Sequence, residues 1–273
     1  MAQRIRVFTS ALYMTTSGVV NGKDGVLAID PGVLPREIGM VKWYADQLGQ
    51  PVRYLVYSHH HWDHILGGQA FPSARRLAQR CFPDALAAGQ PLGAIRKFDD
   101  EYYVQRDPPF EFQPPDELVD DGWAGSLGDV EFTLIHLPGH TIDMLGVHIP
   151  SEKTLFAADM LSDVELPMIE GDGSDYVASL RKIDALVASG QVETLVPGHG
   201  HVTPGAATIR ARIAEDIAYI DRLRLVAGGR SSDGEEAAIG ACRSMNYRGK
   251  DGWPPMSQAH EANVRAIYKA MAG

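Results

Sequence analysis

Hydrophobic and polar positions alternate along the first thirty residues of the chain. The stretch "RIRVFTSALYMTTSGVVNGKDGVLAID" combines this alternation with β-branched residues and Gly-containing turns, which predicts two or three strands. In "IGMVKWYADQLG" the apolar residues follow a helical period, and we expect a helix that ends at Gly49. The nearly continuous apolar run "PVRYLVYS" then predicts a short strand.

The second part of the chain repeats this order of strands followed by helices. Strand patterns occur in "VEFTLIHLPGH", "MLGVHIP", "KTLFAADML" and "ETLVPGHG", and "SDYVASLRKIDALVASG" has a helical pattern. Residues 206–227 predict a long amphipathic helix, ended by the double glycine that follows. Residues 89–121 are rich in Pro and aromatic residues, and we expect a long excursion with some helix that acts as a lid or as a dimer interface.

Length and composition are those of a globular protein with one principal domain. The chain has 273 residues, 45% of them hydrophobic and 22% charged. We expect a catalytic domain over residues 1–228 and a helical C-terminal extension, residues 229–273, packed on the same domain. Cys81 and Cys242 are too few for a disulfide framework, and no apolar run approaches membrane-spanning length. These features predict a cytoplasmic protein without a membrane partner, and a net charge of -10 argues against nucleic acid.

A histidine cluster follows the predicted strand "PVRYLVYS" directly. "YSHHHWDHILGG" places four of the ten histidines and one aspartate in six positions. His59 and His61 lie two residues apart and can point to the same side of an extended chain, whereas His60 points away. Asp63 and His64 follow in the same loop. Imidazole and carboxylate are preferred ligands of Zn²⁺, so this spacing indicates a metal site rather than a merely polar loop.

Three further candidates each follow an apolar, β-rich run. They are His140 in "LPGHT", Asp159 in "LFAADM" and His199 in "VPGHG". Glycine beside each histidine permits a tight turn and close approach. One loop with four ligands cannot complete two metal sites, so these three residues are the expected remainder of the set.

The motifs "SHHHWDH", "PGHT", "AAD" and "PGHG", preceded by "LAIDPG", resemble those of the metallo-β-lactamase superfamily. The resemblance implies an α/β (α+β) fold, a four-layer αβ/βα sandwich, here with a short helical C-terminal extension. It implies that one metal is held by His59, His61 and His140, that a second is held by Asp63, His64 and His199, and that Asp159 bridges the two. Asp30 matches an acid of the family that lies behind the ligands.

Such a site predicts hydrolysis. Two divalent ions, with Zn²⁺ favoured and Mn²⁺ or Fe²⁺ as alternatives, share a hydroxide held by Asp159 that attacks a carbonyl group. Asp63 is also the expected acceptor of the proton released in turnover. The expected substrate is a small-molecule ester, lactone or thioester. A β-lactam or phosphodiester hydrolase, a mononuclear iron dioxygenase and a non-catalytic metal-binding protein are the alternatives.

Residues that follow the ligand strands are candidates for the substrate pocket. They are Trp62, Met168 and Tyr176, and Trp253 of the C-terminal tail is a fourth candidate; each has packing as its alternative role. The stiff, aromatic segment "MNYRGKDGWPPM" leads us to expect that the tail folds against the body near the metal cleft. The expected partner is a small molecule, with a homodimer as a further expectation.

Overall fold

Two six-stranded β-sheets lie face to face at the centre of the molecule. The computed structural model describes residues 4–229, 234–243, 245 and 254–272. In the first sheet the spatial order of the strands is their order in the chain, with β1 to β3 antiparallel and β3 to β6 parallel. Its strands are β1 (Ile5–Thr9), β2 (Thr16–Asn21), β3 (Val26–Ile29), β4 (Val52–Val56), β5 (Arg75–Gln79) and β6 (Glu117–Val119).

The second sheet has the spatial order β12-β11-β10-β9-β8-β7. Its neighbours are antiparallel except for the parallel pair β10 and β11. Its strands are β7 (Trp123–Ser126), β8 (Glu131–His136), β9 (Leu145–Ile149), β10 (Thr154–Phe156), β11 (Thr194–Val196) and β12 (Thr203–Pro204).

Helices cover the outer face of each sheet and complete four layers. The helices of the first half are α1 (Pro35–Gln47), α2 (Phe82–Gly89) and α3 (Pro91–Glu101). Those of the second half are α4 (Ser174–Ala188), α5 (Ala206–Gly228), α6 (Glu235–Cys242) and α7 (Pro254–Ala272). Among the described residues, no helix combines the length and the apolar character needed to span a membrane.

Three apolar clusters correspond to the three interfaces between these layers. One joins inward-facing side chains of the two sheets, such as Leu27 and Phe132. A second packs α1, α2 and α3 against the first sheet, and the third packs α4 to α7 against the second. Because β4 is covered on both faces, Leu55 and Val56 are both fully buried, which explains the nearly continuous apolar run in this strand.

Local signals explain where the first helix begins and ends. Proline at the first position of α1 needs no hydrogen-bonded N–H, and the Glu37 side chain accepts a hydrogen bond from the Leu34 N–H at 3.0 Å. Gly49, at φ 74°, follows the end of the helix in a left-handed conformation that glycine tolerates well. The α/β sandwich with C-terminal helices agrees with the predicted fold class.

The two sheets direct four loops towards one place. The histidine cluster follows β4, and His140, Asp159 and His199 follow β8, β10 and β11. The backbone N–H of Leu145 donates to the Ser58 carbonyl, which joins the first sheet to the second beside the histidine cluster. The candidate ligands therefore meet at one edge of the sandwich.

Candidate metal centre

The seven predicted ligands lie together as two groups of donor atoms. The first group is His59, His61, His140 and Asp159, and the second is Asp63, His64 and His199. Within each group the donor atoms lie within 4.8 Å of one another. The structure therefore brings together all the residues that the sequence motifs indicated.

Asp159 lies between the two groups. Its Oδ2 atom is 3.3 Å from His140 Nε2 in the first group and 3.4 Å from His199 Nε2 in the second. Its Oδ1 atom is 3.2 Å from His64 Nε2. One carboxylate thus contacts imidazoles of both groups, as a bridging ligand would.

Asp63 completes the second group. Its Oδ2 atom is 3.4 Å from His199 Nε2 and 3.6 Å from His64 Nε2. Thr15 Oγ1 also donates to this oxygen at 3.3 Å. The short helical turn Trp62–His64 aims the Asp63 and His64 side chains at the same position.

Acceptors outside the centre fix the orientation of three imidazoles. His140 Nδ1 donates to the Met168 carbonyl at 3.1 Å, and His199 Nδ1 donates to the Tyr13 carbonyl at 2.9 Å. His64 Nδ1 donates to Asp30 Oδ2 at 2.9 Å. A neutral imidazole that donates from Nδ1 has its lone pair on Nε2, and this is the form in which histidine binds metal.

The inward-facing nitrogens and oxygens fit a divalent cation. His59 Nε2, His64 Nε2 and Asp159 Oδ1 are buried and have no hydrogen-bond partner among the described residues. His140 Nε2 and His61 Nδ1 face each other at 3.0 Å. Buried polar groups normally have partners, so this concentration of lone pairs and carboxylates matches the donor set that Zn²⁺ prefers.

Burial keeps the imidazoles of the first group neutral. It lowers the pKa of His61 to about 3, with His140 adding a smaller effect. Burial likewise holds the pKa of His59 well below its ordinary value and lowers that of His140. Neutral imidazole is the metal-binding form, so no proton competes strongly for these three nitrogens.

The second group retains protons when no cation balances its carboxylates. Burial opposes the charged form of His199, but Asp159, Glu165 and Asp63 together outweigh it and raise the pKa of His199 to about 10. Asp159 and Asp63 similarly raise the pKa of His64 well above its ordinary value, against the effect of burial. The negative potential that attracts these protons would equally attract a divalent cation, whose binding displaces them.

Close approach explains the glycine in "VPGHG". A Cβ atom at Gly198 would lie 1.9 Å from Asp159 Oδ1, so a larger residue would displace the Asp159 carboxylate. The Gly198 N–H donates to the Ala158 carbonyl at 2.5 Å. The loops that carry Asp159 and His199 are thus packed backbone to backbone.

Left-handed backbone conformations accumulate around the centre. Tyr13 and Met14 have φ values of 56° and 51°, and Asp30, Ala158 and Leu161 have values of 42°, 48° and 61°. Each is unfavourable for a residue other than glycine and costs on the order of 1–3 kcal/mol. Strain of this kind concentrates where the surrounding structure must hold functional groups in place.

His60 points away from the donor atoms, as the alternation of the extended chain predicts. Its Nδ1 atom lies 2.9 Å from Asp143 Oδ1, and both side chains are buried. Since Asp143 follows His140 by three residues, the pair connects the loops that carry His59, His61 and His140. The sequence alone could not reveal this pair, because Asp143 belongs to no distinctive motif.

Two further contacts of the centre were not predicted from the sequence. The Tyr13–Thr15 segment, between β1 and β2, contacts His199 and Asp63. Glu165 Oε1 lies 3.9 Å from His199 Nδ1, and burial raises the pKa of Glu165 to about 7. Both segments lie far from the ligand motifs in the chain, and no spacing rule connects them.

The predicted pocket residues have different surroundings. The Trp62 ring is half-buried and packs on Phe98 at 4.4 Å between ring centroids. Met168 is half-buried and contributes its carbonyl to His140. Tyr176 has no exposed surface, so its expected place in the pocket wall is wrong: its hydroxyl donates to the Asp159 carbonyl at 3.3 Å and supports that loop from within. Trp253 lies outside the described residues.

The remaining histidines have hydrogen-bond partners elsewhere. His136 Nε2 lies 2.7 Å from the Ile142 carbonyl, and His148 Nε2 lies 3.1 Å from the Gln191 carbonyl. His201 contacts Asp163 at 2.9 Å, and His260 contacts the Tyr219 hydroxyl at 2.8 Å. None of the four belongs to either donor group among the described residues.

Comparison with known proteins agrees with this geometry. The family model described as the metallo-beta-lactamase superfamily matches residues 11–199. An acyl-coenzyme A thioesterase, MBLAC2, of Gallus gallus is 31% identical over 199 residues, which cover 66% of this chain and 70% of that protein. A hydroxyacylglutathione hydrolase of Ruegeria pomeroyi is 29% identical over 178 residues, 62% of this chain and 61% of that one.

A solved structure is similar to this chain in its fold alone. The inverting sec-alkylsulfatase Pisa1 from Pseudomonas sp. has a TM-score of 0.69 and 15% identity, over 93% of this chain and 47% of that one. This chain therefore spans less than half of the sulfatase. The family model covers most of the chain, and its end coincides with the last ligand, His199. The chain belongs to the metallo-β-lactamase superfamily.

Proposed function

We propose that the protein is a dinuclear metal-dependent hydrolase that cleaves small-molecule thioesters. The observation that carries this proposal is the placement of Asp159 between two groups of buried donor atoms. Two metal positions that share one carboxylate are the arrangement expected for two-metal hydrolysis. Zn²⁺ is the proposed ion, because the seven donors are five imidazoles and two carboxylates.

The names of the relatives favour a thioester over other carbonyl compounds. The thioesterase and the hydroxyacylglutathione hydrolase are both named for releasing an acyl group from a thiol carrier. In the proposed reaction a water oxygen forms a bond to the carbonyl carbon and the carbon–sulfur bond breaks. The products are a carboxylate and a thiol, and no oxidant or reductant is consumed. Simple esters and lactones are the next substrates to test, since they present the same electrophilic carbon.

The residues of this chain have distinct tasks in that reaction. When bound, the two divalent cations would lower the pKa of water and stabilise negative charge on the carbonyl oxygen. Asp159 holds the two groups at a fixed separation. Asp63 Oδ2, which faces both His64 and His199, is placed to accept a proton released from the attacking water. Thr15 Oγ1 donates a hydrogen bond to the same oxygen and so helps to orient the carboxylate.

Substitution of Asp63 tests the mechanism. We expect Asp63→Ala to lower kcat for an acyl thioester by about 10²-fold or more, because a ligand and a proton acceptor are lost together. Steady-state kinetics and metal content, measured on protein purified without chelator, give the answer. Circular dichroism should show a retained fold, since three apolar clusters remain intact.

Asp129→Ala is the matched control. Asp129 is an exposed acid that pairs with Arg4, remote from the seven ligands in its contacts. Near-full activity of the Asp63 variant would overturn two-metal hydrolysis. A wild-type content of one iron per chain, with oxygen consumption, would replace the proposal with the dioxygenase alternative.

A further inference from the structure

Four aromatic rings from three segments form a continuous surface beside the metal centre. Tyr13 comes from the β1–β2 loop, Trp62 from the turn that carries Asp63, and Phe98 and Tyr102 from the last turns of α3. The ring centroids of Trp62 and Phe98 are 4.4 Å apart, and those of Phe98 and Tyr102 are 4.8 Å apart. Tyr13 meets the edge of Trp62 at 6.1 Å. We call these four residues the aromatic ledge.

The ledge begins at the metal ligands themselves. Trp62 stands in the chain between the ligands His61 and Asp63, and the Tyr13 carbonyl accepts the hydrogen bond of His199 Nδ1. Tyr13 and Met14 have left-handed backbone conformations, and the Tyr13 ring meets the edge of Trp62 in the turn that carries Asp63. A substrate whose carbonyl group reached the centre would therefore have the ledge within its reach.

Only part of the ledge is used for packing. Phe98 is 5% exposed and anchors it in the core, whereas Tyr13 and Tyr102 remain 46% and 42% exposed. The hydroxyls of Tyr13 and Tyr102 lie 3.2 Å apart, which joins the β1–β2 loop to α3. Core aromatics bury most of their surface, so two half-open rings beside the candidate metal centre are better explained by contact with a ligand.

The charge around the ledge indicates which part of a thioester it accepts. Glu101 is the last residue of α3, is exposed and directly precedes Tyr102. Its carboxylate disfavours a phosphate-bearing carrier at the same place. A hydrocarbon chain carries no such penalty and gains from contact with the exposed ring faces.

We propose that the aromatic ledge binds the hydrocarbon chain of the acyl group and thereby sets the chain-length preference of the enzyme. This inference rests on the proposed thioesterase function. With the acyl chain on the ledge, the thiol carrier extends away from it. Substrates with longer acyl chains then react with higher kcat/KM until the ledge is covered.

A chain-length series tests this proposal. The substrates are butanoyl-, octanoyl- and dodecanoyl-coenzyme A, with the full-length, zinc-loaded protein. In the wild type we expect kcat/KM to rise with chain length, by up to about fourfold for each methylene that becomes buried. Tyr102→Ala should lower the dodecanoyl-to-butanoyl ratio about fivefold or more, as expected when a few tens of Å² of apolar contact are lost. Tyr102→Phe, which keeps the ring, should retain the wild-type ratio.

Tyr103→Ala is the control. Tyr103 is the next residue, is 91% exposed and has no ring contact with another described residue, so its removal should leave the ratio unchanged. The proposal is overturned if the wild-type ratio does not rise with chain length. It is also overturned if Tyr102→Ala and Tyr103→Ala have the same ratio.

A binding measurement separates failure of the ledge from failure of the proposed function. Titration calorimetry measures the affinity of the protein for dodecanoate and for butanoate. The two have the same carboxylate, so the ratio of their affinities reports only the contribution of the hydrocarbon chain. If no thioester is hydrolysed but this ratio falls in Tyr102→Ala and not in Tyr103→Ala, the ledge stands and the thioesterase proposal fails. If thioesters are hydrolysed and the ratio is the same in both variants, the ledge proposal fails alone.

Discussion

Asp30 shows how a single residue behind the candidate ligands fixes the orientation of one of them. Its Oδ2 atom accepts from His64 Nδ1, and its Oδ1 atom accepts from the Ser58 N–H at 2.8 Å. The carboxylate is 4% exposed and has no freedom to turn away. It therefore fixes both the ring plane of His64 and the nitrogen that carries the proton.

The variant Asp30→Asn tests this role with little change of shape. Asparagine tolerates the left-handed φ of 42° at this position, and its oxygen can still accept from Ser58. Its NH₂ group then faces His64 Nδ1–H, two donors in opposition, which favours the tautomer with a proton on Nε2. We expect affinity for the second metal ion to fall about 10- to 100-fold. Competition with a chromogenic chelator measures this.

Asp129→Asn is the control for the loss of one carboxylate, because Asp129 is exposed and pairs with Arg4. Equal zinc affinity in Asp30→Asn and in the wild type would show that Asp30 does not orient His64.

Spacing indicated the candidate ligands because it is a local property of the chain. His59 and His61 face the same side, and His60 the other, as alternation requires. Tyr13 and Glu165 could not be found in this way. Their contacts with His199 depend on loops that meet only after the two sheets have packed, and an isolated Tyr or Glu carries no signal of that meeting.

At the scale of elements, α7 secures one of the loops of the metal centre. Asn263, 2% exposed, donates from Nδ2 to the Pro167 carbonyl at 2.5 Å and accepts at Oδ1 from the Ile169 N–H at 2.9 Å. Met168, between these two residues, supplies the carbonyl that orients His140. The C-terminal extension thus contacts a loop of the metal centre, although the aromatic segment 246–253 lies outside the described residues.

We expect Asn263→Leu to lower the free energy of unfolding by about 1–3 kcal/mol, because a buried carbonyl and a buried N–H lose their partner. Thermal or urea denaturation measures the loss. Gln258→Leu, at an exposed position of the same helix, should change stability by no more than about 0.5 kcal/mol. A loss of the same size in both variants would mean that Asn263 contributes only as a helix residue.

Long periodic elements were predictable, and short ones were not. The helix predicted over residues 206–227 is α5, Ala206–Gly228, because twenty residues of amphipathic pattern outweigh local exceptions. By contrast, the excursion over residues 89–121 contains α3 and closes with β6, Glu117–Val119. A three-residue strand such as β6 is too short to show a periodic pattern in the sequence. It forms a strand because it pairs with β5.

At the scale of the whole molecule, the candidate metal centre lies where the two halves of the sandwich meet. Four candidate ligands follow β4 of the first sheet, whereas His140, Asp159 and His199 follow strands of the second. An ion bound there closes a contact between residues that are distant in sequence. Without it, carboxylates and imidazoles remain together in a buried space.

Removal of the metal should therefore destabilise the entire chain. A ligand at 100 times its Kd adds about 2.7 kcal/mol to the free energy of unfolding, which for a chain of this size corresponds to roughly 5–10 °C in Tm. Calorimetry with and without a chelator measures the shift. His140→Ala, which lacks a ligand, should show a smaller shift, and an unchanged wild-type Tm would mean that no ion bridges the halves.

The Tyr13 and Met168 carbonyls have a consequence for how this protein can evolve. Both residues hold a ligand histidine through the backbone, which every amino acid possesses, while their side chains remain free to vary. Substitutions at positions 13 and 168 can then change the surface beside the candidate centre while the carbonyl contacts to the two histidines remain. We expect Tyr13→Ala and Met168→Ala to bind zinc as the wild type does by elemental analysis. A loss of zinc from both variants would show that the side chains at positions 13 and 168 are also needed for metal binding.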